Sequence, residues 1–197
     1  MTRGAPLAAG LALVAGCLFR SPEPPRFFRP GSSILDAASD EAPRHASGGI
    51  AVRLRGVRSE PFLRERIVWR TSDVEYGLYE QRRWIDLPAH YVDRALRTRL
   101  GSTAGLRLTN EPRAVTLRVD VLAFDDVLGP PHAANVVLAV VLDDPVRGRL
   151  LDRTFDARVG IQDGDAASMA KSMGEALDDV VGQIADAVRA SVRRPGR

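Results

Sequence analysis

The chain has 197 residues, 45% of them hydrophobic and 27% charged, which is enough for one packed domain and a tail and short for two. The net charge of +3 is a small difference between 28 basic and 25 acidic residues, interleaved along the chain, and that spacing excludes the clustered footprint of a nucleic-acid binder. Cys17 is the single cysteine, so an internal disulfide is excluded.

The first seventeen residues carry the most specific local pattern. Arg3 gives a positive start, and residues 5–16 form an apolar stretch too short to cross a bilayer. It ends in Leu13-Val14-Ala15-Gly16-Cys17. This resembles the lipobox of bacterial lipoprotein signal peptides, with an aliphatic residue and two small residues before the cysteine. The resemblance implies that residues 1–16 are removed and that the Cys17 sulfur carries a diacylglyceryl group. One acyl chain holds a protein only marginally, whereas two or three make the anchor lasting. Leu18 after the cysteine resembles the outer-membrane class of lipoproteins, with inner-membrane retention as the alternative. An ordinary signal peptide with a chance cysteine, or an apolar start to a cytosolic domain, are the competing readings of the same residues.

From 17 to 48 the chain holds Pro22, Pro24, Pro25, Pro30 and Pro43 and shows no strand or helix period, which reads as a semi-rigid tether. Phe27 and Phe28 within it suit either docking on the domain or the membrane surface. A self-contained domain is expected over 49–193, followed by a short tail at 194–197.

In the domain, Ile50, Val52 and Leu54 alternate with Arg53 and Arg55 as a strand with one wet face. Residues 66–70 and 74–80 predict two short strands. Pro88 suits the first turn of a helix that Gly101 should end. Three long strands are expected over 114–125, 133–143 and 149–161, with a loop at 126–132. The continuous apolar run from Val136 to Leu142 reads as a central strand covered on both faces. Asp165 opens a long amphipathic helix whose stripe is Met169, Met173, Leu177, Val180, Ile184 and Val188. The expected fold is therefore α+β: one sandwich-like domain with a mostly antiparallel or mixed sheet of about six strands and two helices.

Several of these features, in order, resemble the ABC-type transport auxiliary lipoproteins, the PqiC-like family. They are the Cys17 lipobox, Pro61-Phe62-Leu63 leading into Ile67-Val68, and Tyr79-Glu80-Gln81-Arg82-Arg83-Trp84 with Pro88 beyond. The strand ending in Phe124-Asp125 and the closing helix opened by Ala166-Ala167-Ser168-Met169 complete the series. The chain departs from the pattern in its longer proline-rich segment. The resemblance implies a periplasm-facing outer-membrane lipoprotein that works with an MCE-domain protein and an ABC transporter in moving lipid between membranes.

No catalytic set is legible. His45, His90 and His132 are scattered, no pair has metal-ligand spacing, and there is no nucleophile elbow or phosphate loop. Asp125-Asp126 and Asp143-Asp144 read as solvated carboxylates at strand ends. The expectation is a non-catalytic protein without cofactor, metal or nucleic-acid partner. It would be held to the membrane by lipid, with self-assembly compatible with the pattern. The alternatives are a carrier holding an acyl chain beneath its sheet and a lipid-anchored hydrolase. Partner-contact candidates are Phe62 and Leu63 in the loop after Pro61, and Trp84, for which pinning the first helix is the competing role.

Overall fold

The computed structural model describes residues 23–40 and 48–193. Cys17 and its lipobox, with the leader at 1–16 and the tail at 194–197, lie outside the described residues.

The architecture is α+β, with nine strands in one mixed sheet and three helices among the described residues. The long strand β7 (Val115–Val127) organises it. One edge of β7 pairs antiparallel with β8 (Ala133–Asp144), which pairs in turn with β9 (Gly148–Gly160). The other edge is shared by three strands lying parallel to it in succession. They are β2 (Ile50–Leu54) at its start, β3 (Arg58–Ser59) at its middle and β4 (Arg66–Arg70) at its end. Beyond β4 lies β5 (Tyr76–Trp84), and beyond β2 lies β6 (Leu106–Leu108).

Helix α2 (Pro88–Ser102) packs on β6 and β7, and α3 (Ala166–Arg193) on β8 and β9. The expected apolar stripe is the buried side of α3: Met169, Met173, Leu177, Val180, Ile184 and Val188 are all 0% exposed. Pro88 begins α2 as expected, since its missing N–H is needed by nothing in the first turn. Gly101 does not end α2. The helix runs through it, and the Thr103 N–H bonds the Leu100 carbonyl to close the last turn.

The segment read as a tether needs correction over 26–40. Residues Arg26–Phe28 form β1, parallel to the end of β5, and Ser33–Asp40 form α1 against α2. The sequence pattern failed because both elements are short and held by tertiary contacts rather than by period. The Ser32 hydroxyl accepts the Leu35 N–H and caps α1. It donates in turn to Asp178 on α3, which also accepts the N–H and hydroxyl of Ser33, at 2.8 and 2.7 Å. Gly174 makes this contact possible: a Cβ there would sit 2.1 Å from the Gly31 carbonyl carbon.

The expectation that β8 is covered on both faces is also corrected. Val136, Leu138, Val140 and Leu142 point into the helical layer and are buried, while Val137, Ala139 and Val141 on the other face are half-buried. Among the described residues the helices cover one face of the sheet only.

Candidate functional site

The uncovered face carries a shallow groove of about 520 Å³ at its β4–β5 end, lined by Glu60, Phe62, Val68, Tyr76, Leu78 and Leu122 together with Gly77. Three local features build it. The Leu63 N–H bonds the Glu60 carbonyl in a turn that sends Leu63 inward and leaves Phe62 outside. The register of β7 against β8 shifts between Val121 and Ala123, a β-bulge at Leu122 where β7 lines the groove. Trp69 lies across Gly77, where any Cβ would meet its ring at 2.1 Å, so the wall of the groove requires glycine at that point.

Phe62, Tyr76 and Leu78 are 45%, 50% and 40% exposed, and the first two rings meet edge to face with centroids 6.2 Å apart. A second depression continues from the first through Glu60 and Leu122 to Ala139, and the guanidinium of Arg58 grips Asp120 there at 2.7 and 3.1 Å.

Of the sequence-predicted contact residues, Phe62 is at this surface. Leu63 and Trp84 are not: they are 3% and 1% exposed, which removes both as partner contacts. Trp84 packs edge to face on Phe124 and Tyr91, with centroids 5.4 and 6.3 Å away, so it pins β5 to β7 and α2. Tyr76, Leu78 and Leu122 were missed. They lie in strand-like runs where an apolar residue signals core, and only the one-sided helical layer turns them into surface.

The Asp125-Asp126 pair is corrected as well, because both acids are buried inside β7. Asp125 meets Arg70 at 2.6 Å and accepts a hydrogen bond from Asn135 at 3.1 Å. Burial nonetheless holds its carboxyl above the usual range. Asp126 accepts the Tyr79 hydroxyl at 2.8 Å on one oxygen and faces His132 Nε2 at 2.6 Å with the other. Burial first, and then this bond to Asp126, raises the Tyr79 pKa. With both oxygens engaged, Asp126 ties β5, β7 and the following loop together. Asp143 and Asp144 are partly exposed and pair with Arg118, Arg149 and Arg147.

Among the described residues no group of three or more His, Cys, Asp or Glu is placed to hold a metal ion, and no helix is long and apolar enough to cross a membrane. The space beneath the sheet is filled by side chains such as Leu96, Leu117, Leu138 and Leu177, each 0% exposed.

A mixed sheet with helices on one face and an apolar groove on the other defines an α+β domain with a free surface outside its core. The chain belongs to the ABC-type transport auxiliary lipoprotein component family, whose model matches residues 34–185. The fold is similar to that of protein XCC0632 from Xanthomonas campestris, described by the family model DUF330. The TM-score is 0.71 at 15% identity, over 85% of this chain and 97% of that one. A second crystal structure, of an uncharacterized protein, matches with TM-score 0.65 at 17% identity, over 84% of this chain and 99% of the other. No curated protein matches the chain.

Proposed function

We propose that this chain is a lipid-anchored, non-catalytic docking subunit that seats an MCE-type periplasmic protein of an ABC-linked lipid-transport system at the outer membrane. Cys17 would carry the anchor, and the open sheet face would receive the partner. The observation that carries the reading is the groove between Phe62, Tyr76 and Leu78: exposed apolar side chains concentrated on the one face the helices leave bare. Membership of a transport auxiliary family supplies the class of occupant, a protein of the same transport system. A carrier that stores an acyl chain would need a cavity beneath the sheet, where closely packed side chains lie instead.

The test uses the full-length lipoprotein co-expressed with the MCE-type protein and purified through the latter in detergent. Leu78→Glu and Phe62→Glu should each cut co-purification at least tenfold, the effect of losing about 1.4 kcal/mol or more at a contact centre. Both variants should keep the parent thermal midpoint within a few degrees. Undiminished recovery of both variants would overturn the assignment of this face. Retention of the Cys17→Ser variant in the membrane fraction, with unchanged gel mobility, would overturn the anchor.

A further inference from the structure

The corner of the sheet where the chain arrives from the N-terminus has an electrostatic peculiarity. Arg26 on β1 stands opposite Arg82 on β5, and one step on Phe27 stands opposite Arg83, which faces Arg66 on β4. Like charges directly opposite each other on a sheet are destabilising unless something neutralises them. Among the described residues, neither Arg66 nor Arg83 has an acidic group within ion-pair distance, and the buried Nε of Arg66 has no hydrogen-bond partner. Trp84 points into the core, so alternation along β5 sends Arg83 to the opposite, outer side together with Phe27 and Arg66, and Ile85 follows just past the strand, its N–H bonded to the Phe28 carbonyl. Phe27 and Ile85 are 58% and 64% exposed. Two unpaired arginines beside two exposed apolar side chains fit a surface that is anionic at its face and apolar just beneath.

We infer that this corner, Phe27 and Ile85 with Arg66 and Arg83, rests on the anionic phospholipid surface of the membrane that holds the anchor and so fixes the tilt of the domain. The inference rests on the lipid-anchor reading of Cys17. Only eight residues, or nine chain steps, separate Cys17 from Arg26, and at about 3.3 Å per step they reach no more than about 30 Å. The corner is therefore the part of the domain the anchor keeps nearest the bilayer. Each arginine at an anionic leaflet adds about 1 kcal/mol of attraction, a factor of about five.

The experiment places the full-length lipoprotein, carrying Phe27→Trp as a probe, in vesicles with brominated acyl chains. One set is phosphatidylcholine alone and the other contains phosphatidylglycerol. The expected result is quenching of the new fluorescence in the anionic vesicles beyond that of the Phe27 parent. Arg83→Glu should lower the membrane-resting population about fivefold or more, and inorganic phosphate at constant ionic strength should leave it unchanged. Equal quenching in both vesicle types, no quenching in the anionic set, indifference to Arg83→Glu, or loss on adding phosphate would each overturn the inference. Flotation reads the anchor separately: a chain that does not float with neutral vesicles defeats the Cys17 reading, while quenching on anionic vesicles still decides the corner.

Discussion

The two faces of the β7–β8 pair are built from the same kinds of residue and do different things. Val136 and Val140 face the helices and are 0% and 1% exposed, while Val137 and Val141, their immediate neighbours in sequence, face outward and are only half-buried. Burial of a valine is worth about 1.5–3 kcal/mol only when it is complete. The inner face therefore sets the stability of the domain, and the outer face keeps apolar surface available to something else.

That difference can be broken most sharply from the inner side. Leu177→Ala or Ile184→Ala, both at fully buried positions on α3, should lower unfolding free energy by about 2–5 kcal/mol through lost burial and the cavity left behind. Val141→Ala on the outer face should cost about 1 kcal/mol or less. Urea titrations of the three variants measure the contrast, and equal losses on both faces would dissolve it.

The N-terminal elements belong with the inner face on this account. A chain beginning at Gly49 would lose β1, α1, the buried Leu35 and the Ser32–Asp178 contact. It should unfold at least about 3 kcal/mol more easily, from the leucine burial plus one charge-assisted hydrogen bond. Gly174→Ala probes the same junction with one methyl group, which must displace the backbone at Gly31. About 1–3 kcal/mol is expected, the usual range for overpacking. Parent-like unfolding of both would return residues 26–40 to the status of a spacer.

An effect of similar size sits where Tyr79 on β5 reaches past β4 to Asp126 on β7. Tyr79→Phe removes the hydroxyl donated to the buried carboxylate of Asp126, a loss of about 1.5–3 kcal/mol near pH 8. Because the folded-state pKa of Tyr79 is raised, the folded chain keeps a proton that the unfolded chain releases once pH exceeds about 10. The stabilisation is thus fully present below that pH and fades above it. Denaturation of parent and variant from pH 8 to 11 should show the gap narrowing as pH rises; a constant or widening gap contradicts the assigned bond.

Much of the inner face was legible in sequence, because helical and strand periods report burial directly. The strand at Arg66–Arg70, the helix begun by Pro88 and the stripe from Met169 to Val188 all stand where periodicity places them. The outer face was not legible. A continuous run such as Val136–Leu142 contains no mark of which alternate residues a helix will cover, so its surplus read as core. Phe62 could be recognised because an apolar residue after Pro61 stands out in a loop, but its neighbour Leu63 looks identical in sequence and is buried. Asp125 and Asp126 were hidden for a related reason: partners such as Arg70 and Tyr79 lie about fifty residues away in the chain.

Hydrogen exchange on the full-length lipoprotein, alone and mixed with the proposed MCE-type partner, tests the central claim most directly. The account predicts new protection at residues 60–63 and 76–81 on the open face, with α2 and α3 unchanged. Protection confined to the exposed sides of α2 and α3, with the groove exchanging as in the free chain, would contradict it.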